Sequence, residues 1–272
     1  MKLSTDVSNA TAADGTAYDL LGPDNAPIVV LIHGLGLCRQ LWHPHIEQLS
    51  KTYRVLNYDL YGHGQSPAPP ETASLTVFSN QLKNLLDQLQ IKQVSIIGFS
   101  IGGMINRRFA LDHGNRLNTL VILNSPHNRG ELAQQQVEAR AAKVSETGVM
   151  ATLDDALRRW FTPDFLTRHQ QSVNAVRQWR EIVDPASYAQ AAWVLANGVR
   201  ELIAPVPPIT QPTLIMTSEN DSGSTPAMSK AIAAEIKNAR LTIIPQLQHL
   251  GLMEQPNAFI EPILHFLNEH TT

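Results

Sequence analysis

The chain has 272 residues, 43% hydrophobic and 17% charged, with a net charge of −3. This length allows one large core with room for a subdomain, and a slightly acidic balance without a Lys/Arg cluster argues against nucleic acid or an anionic membrane as partner. The single cysteine, Cys38, excludes an intrachain disulfide; no apolar run approaches the roughly 18 residues of a spanning helix; and the polar opening Met1-Lys2-Leu3-Ser4-Thr5-Asp6 lacks a leader's apolar core, so a cytoplasmic location is expected.

Short apolar runs at 28–32, 53–58, 94–97, 120–123, 214–217 and 241–244 read as buried parallel strands. Helical patterns lie between most of them. The clearest covers 75–89, where Phe78, Leu82, Leu85, Leu86 and Leu89 share one face. Alternation of this kind predicts an α/β fold, a mostly parallel sheet with helices on both faces.

In such a sheet a site forms beyond the carboxyl ends of the strands. After the first run comes His33-Gly34-Leu35-Gly36. Its glycines let backbone approach a reacting oxygen, and the Leu35 N–H is the expected donor to an oxyanion. His33 reads as a structural brace for this loop. Cys38, close by, is a candidate to line a pocket, but has no base of its own and is not read as a nucleophile. His43-Pro44-His45 has no accompanying carboxylate cluster, so these read as surface histidines and no metal is expected.

The second run leads into Asp59-Leu60-Tyr61-Gly62-His63-Gly64-Gln65-Ser66. This turn lacks a phosphate-loop lysine and reads as structural. The third leads into Gly98-Phe99-Ser100-Ile101-Gly102, followed by a helical pattern. Strand, G-x-S-x-G and helix together predict a nucleophile elbow, with the Ser100 hydroxyl raised above the sheet. Gly98 and Gly102 fit a close strand–helix crossing, and the Ile101 N–H is the expected second oxyanion donor.

Between 126 and 208 no strand is predicted. Helical patterns at 131–146, 151–161, 165–182 and 186–203 fill the interval, punctuated by Pro163, Pro185, Pro205, Pro207 and Pro208. Eighty-odd residues far exceed an ordinary crossover. The expected organisation is therefore a core of 1–125 and 209–272 with a helical cap at 126–208. Trp160, Phe161, Trp193 and His127 are its candidate pocket walls.

A serine hydroxyl needs a base, and the base needs an orienting acid. His249 follows the last run on a loop and is the expected base. Asp221 and Glu219 both follow the 214–217 run and are rivals for the acid. The chain order is serine, acid, histidine.

These residues together resemble the α/β-hydrolase superfamily over about 26–267. The likeness rests on His33-Gly34, the Asp59 to Ser66 turn, the elbow with Gly103-Met104, Asp221 with Thr225-Pro226, and His249 with Glu254-Gln255-Pro256. Within it the sequence is most similar to 3-oxoadipate enol-lactonases and related esterases, through Glu138-Ala139-Arg140, the stretch from Arg159-Trp160-Phe161 to Phe165, and Gly102-Gly103-Met104-Ile105. His33, Asn124-Ser125-Pro126-His127 and the glycine pattern near Ser218 depart from those lactonases. The resemblance favours Asp221 over Glu219. It implies hydrolysis of a small ester or lactone with no cofactor, through Ser100, His249 and Asp221. The alternatives are hydrolysis of a carbon–carbon bond in a diketone acid, with Arg107, Arg129 or Arg159 as carboxylate clamps, and a non-catalytic receptor on the same scaffold.

Overall fold

The apolar runs pair into a single eight-stranded sheet, seen in a computed structural model that describes residues 9–270. The polar opening Met1 to Asp6 lies outside those residues. The strands are β1 (Ala10–Thr11), β2 (Ala17–Leu21), β3 (Ile28–Ile32), β4 (Arg54–Tyr58), β5 (Val94–Phe99), β6 (Leu117–Leu123), β7 (Thr213–Ser218) and β8 (Arg240–Ile244), in the order β1-β2-β4-β3-β5-β6-β7-β8. From β4 to β8 every neighbouring pair is parallel, while β1 and β2 are antiparallel additions at one edge. Those two edge strands have no sequence signature. β1 spans two residues, and β2 buries only Ala17 and Asp19 fully.

Alternating strand residues feed two cores. Val30, Ile32 and Ile96 pack with α2 (Leu75–Gln88) and α3 (Ile101–His113) on one face. Val29, Leu31 and Ile97 pack with α1 (His43–Leu49) and the C-terminal helix, here αC (Pro256–His270), on the other. The start of α2 is fixed by Ser74, whose hydroxyl accepts from the Val77 N–H at 3.1 Å.

All of the residues between β6 and β7 that form regular structure are helical. They are α4 (Glu131–Thr147), α5 (Leu153–Trp160), α6 (Pro163–Arg168), α7 (Gln170–Glu181), α8 (Pro185–Asn197) and a 3-10 turn (Gly198–Leu202). The 165–182 pattern is two helices, not one. The backbone leaves helical geometry at His169 (φ −116°, ψ 51°), whose ring stacks on Phe165 at 4.4 Å between centroids. Ala141, Val144, Val149, Val183, Tyr188, Ala192 and Ala196 form a small core of this segment's own.

The turn after β4 is structural. The Arg39 N–H donates to Asp59 Oδ1 at 2.7 Å, its guanidinium pairs with Asp59 and with Asp19 (3.0 Å), and Ser66 Oγ donates to the Asp59 carbonyl at 2.7 Å. His45 corrects the surface reading of the His43-Pro44-His45 run: His43 is exposed, but His45 is buried edge-on to Trp42. Among the described residues no helix is long and apolar enough to cross a membrane.

Asp59→Ala removes one of the two carboxylates paired with the buried Arg39 and leaves Asp19, and it is expected to cost about 1–3 kcal/mol. Asp59→Asn keeps an acceptor for the Arg39 N–H and costs less. Urea unfolding of the two variants measures the difference.

Candidate active site

Ser100 sits between β5 and α3 with φ 57° and ψ −115°, a strained backbone for a residue with a side chain. Its surroundings hold it there. The Ser100 N–H donates to the Leu123 carbonyl at 2.9 Å, and the Ser100 carbonyl accepts from Ser125 Oγ at 2.9 Å and the Gly103 N–H at 3.0 Å. A Cβ at Gly98 would fall 2.2 Å from the Gly102 carbonyl oxygen, and one at Gly102 2.4 Å from that of Ile32. Only glycine permits this crossing.

The loop after β7, which carries Asp221, and the loop after β8, which carries His249, meet at the cavity that Ser100 lines. His249 Nδ1 lies 2.6 Å from Asp221 Oδ2. The same Oδ2 accepts from Asn124 Nδ2 at 2.9 Å, and Oδ1 accepts from the Gly223 and Ser224 N–H groups, each at 2.9 Å. Burial alone would raise the Asp221 pKa. The His249 ring and these hydrogen bonds outweigh it and hold the carboxyl below the usual carboxylate range. An ionised carboxylate only accepts, so Nδ1 is the donor, the tautomer that leaves Nε2 as an acceptor. Glu219, the rival acid, accepts instead from the Gln246 N–H at 2.9 Å.

Ser100, Asp221 and His249 line one cavity of about 360 Å³. Gly34, Leu35, Phe99 and Trp160 are also in its wall. Leu35 is on the loop after β3, and Ile101 is the first residue of α3, where an N–H has no intrahelical partner. Gly36 has φ +68°, and a Cβ there would lie 2.1 Å from Arg180 Nε. Beneath the loop, His33 Nδ1 donates to the Gly34 carbonyl at 2.8 Å, and Nε2 accepts from the Leu60 N–H at 3.0 Å. Burial pushes the His33 pKa down to about 4, so it is a neutral brace.

Three of the four candidate cap walls, and Cys38, are elsewhere. Phe161 is buried in the second core and stacked on Phe165 at 4.9 Å, drawn inward by that aromatic partner. His127 turns away toward α9 (Pro226–Glu235), with Nε2 2.9 Å from Glu235 Oε1. Trp193 is an exposed side chain and Cys38 a buried one, and neither lines the cavity. Burial pushes the Cys38 thiol up to about 12.

Four arginines line the cavity: Arg129, Arg140, Arg159 and Arg180. Among the described residues Asp221 is the only acid in its wall. Arg180 is 1% exposed and, among the described residues, faces no carboxylate. It donates to the Tyr188 hydroxyl, lies 3.4 Å from the Gly36 carbonyl oxygen, and stacks on Trp160 and Tyr188. Burial lowers its pKa from the ordinary arginine value. Sequence spacing gave no sign of it, because Trp179-Arg180 ends an ordinary amphipathic helix. Arg107 is not in the wall. It lies under the elbow and donates to the Gly103 carbonyl at 2.9 Å and the Pro126 carbonyl at 2.7 Å, with its pKa pushed down by burial to about 9.

Residues 27–256 match the sequence model of the family described as the alpha/beta hydrolase fold. The chain belongs to the α/β-hydrolase family. It is similar to 3-oxoadipate enol-lactonase 2 of Acinetobacter baylyi, 27% identical over 242 residues that cover 89% of each chain. It is also 27% identical to (E)-2-((N-methylformamido)methylene)succinate hydrolase of the same organism, over 84% of this chain and 85% of that one. Among solved structures it resembles the enol-lactonase of Burkholderia xenovorans, with a TM-score of 0.87 and 29% identity over 95% of this chain and 100% of that one. In this member of the family the loop under the site is built on neutral histidines, since His63, beside His33 at 5.4 Å, is pushed down by burial to about 3.

Buried His33, His45 and His63 refuse protons that the unfolded chain accepts, with folded pKa values of about 4, 4 and 3. The unfolded state therefore binds more protons below its histidine pKa of about 6.5, and stability falls as pH drops from there toward 4. Neither His45 ring nitrogen has a partner among the described residues. His45→Leu is expected to flatten the slope by up to about 1.4 kcal/mol per pH unit. Urea unfolding from pH 7 downward measures that slope.

Proposed function

We propose that the protein is a serine hydrolase of carboxylic esters or lactones, acting through an acyl-enzyme on Ser100. The observation that carries this reading is the 2.6 Å contact between His249 Nδ1 and Asp221 in a cavity that Ser100 also lines. His249 Nε2 takes the Ser100 proton as Oγ attacks the substrate carbonyl. The oxyanion faces the N–H groups of Ile101 and Leu35. The imidazolium returns its proton to the leaving alcohol, and His249 then activates a water that releases the acid and restores Ser100. Asp221 stays ionised throughout and fixes the ring.

The helices between β6 and β7 act as the cap in this reading, and they favour a substrate that carries a carboxylate. Arg129, Arg140, Arg159 and Arg180 line the cavity, and its one acid is already paired with His249. Burial, and then the neighbouring Arg159 charge, lower the Arg140 pKa from the ordinary arginine value. Two relatives are named for carboxylate compounds, an oxoadipate lactone and a succinate.

Ser100→Ala is expected to lower turnover of a short nitrophenyl ester by at least about 10⁴-fold and to abolish labelling by a fluorophosphonate. Wild-type protein that is inert to both would instead favour the receptor reading. Arg140→Ala/Arg159→Ala is expected to raise KM for a hemisuccinate ester about 10- to 100-fold, the loss of charge-assisted hydrogen bonds. KM for the neutral butyrate ester is expected to hold. Equal effects on the two esters would remove the case for an anionic substrate.

A further inference from the structure

His249 stands in the six-residue connection between β8, which ends at Ile244, and the short helix Gly251–Glu254. Much of what holds this connection comes from the inserted helices. The Leu250 N–H donates to the Trp160 carbonyl at 2.8 Å. The Gln248 amide, oriented to match the acceptors around it, donates to the carbonyls of Phe161 (2.6 Å), Arg159 (3.0 Å) and Arg158 (3.1 Å). These are end-of-helix carbonyls of α5, which lack intrahelical partners. On the far side of His249, the Glu254 carboxylate accepts from the Thr162 N–H at 2.8 Å and from Thr162 Oγ1 at 2.6 Å. Residues 248–254 thus grip residues 158–162, the corner between α5 and α6, from both sides of the histidine.

The same corner reaches the oxyanion loop. The Trp160 ring lies 6.0 Å from the His249 ring, and Arg180 stacks on Trp160 at 5.5 Å while touching the Gly36 carbonyl. One residue earlier, Trp179 Nε1 donates to Gln40 Oε1 at 2.7 Å. A lid that only admits substrate would not need hydrogen bonds to the backbone on both sides of the base.

We infer that the α5–α6 corner positions His249, with Gln248 and Glu254 as the positioning residues, so that the inserted helices set turnover as well as admission. This rests on the serine-hydrolase reading. A general base displaced by a fraction of an ångström from the Ser100 hydroxyl loses rate without losing substrate affinity.

The test uses the full chain, neutral nitrophenyl acetate, and the rate at which a fluorophosphonate labels Ser100. That probe needs the base but little of the pocket. Gln248→Ala is expected to lower kcat and the labelling rate about tenfold, with KM within about twofold of wild type. Gln248→Glu, which turns an acceptor toward three carbonyls, loses more. Gln248→Lys, which restores donors at the same carbonyls, recovers most of both rates. Should Gln248→Glu fail to give the native near-UV circular dichroism, Thr162→Val tests the other side of the corner and is expected to lower kcat in the same direction. Wild-type labelling and kcat in Gln248→Glu, with a raised KM, would show that the corner governs admission alone and overturn the inference. So would a Gln248→Lys variant as slow as Gln248→Glu. A wild-type protein that fluorophosphonate does not label overturns the hydrolase reading itself, a different result from any of these.

Discussion

The site depends on how closely α3 crosses the strands beneath it. With no side chain at Gly98 or Gly102, the helix backbone comes within contact of β5 and of the end of β3. The turn between strand and helix is then so tight that Ser100 takes a positive φ, at a cost of about 1–3 kcal/mol. That cost is met by the hydrogen bond Ser100 donates to β6, the one it accepts from Ser125, and the buried Arg107 under the turn. The same crossing sets the first N–H groups of α3 beside the loop after β3, where Gly36 is pressed against Arg180.

The sheet order supplies the partners. Because β3, β5, β6, β7 and β8 are parallel neighbours, the loops bearing Leu35, Ser100, Asn124, Asp221 and His249 leave the same edge of the sheet. Asn124 and His249 then converge on a single oxygen of Asp221. Two buried cations near the site are satisfied by dipoles rather than acids, unlike Arg39 with its two carboxylates. Arg107 donates to main-chain carbonyls, and Arg180 to a tyrosine hydroxyl with aromatic faces around it. Arg180 therefore adds positive potential to the cavity without a carboxylate to cancel it.

What was legible in the sequence was what depends on neighbours along the chain. Short apolar runs marked the six parallel strands, because strands buried on both faces, as β5 and β7 are, need no alternation. β1 and β2 escaped notice, because a short, half-exposed strand has a weak pattern and is stabilised by its pairing, β1 on β2 and β2 on β4. The single helix expected over 165–182 broke at His169, where a ring stack on Phe165 competes with helix continuation. His45 carried a polar name into a buried position, which only the packing of α1 against Trp42 reveals.

By itself the sequence determined the fold class, the strand–turn–helix around Ser100 and the all-helical stretch between β6 and β7, since each is encoded in periodicity, glycine placement or spacing. Only the tertiary structure decided which walls face the cavity. Trp160 does, while the adjacent Phe161 is taken by the core, and Arg180 joins from a helix twenty residues away. It also decided that the His249 loop is fastened to the α5–α6 corner. The reason is physical. Local pattern fixes how a segment folds, but the direction of a side chain on an inserted helix depends on how that helix docks, and docking is settled by contacts between residues that lie far apart in the chain.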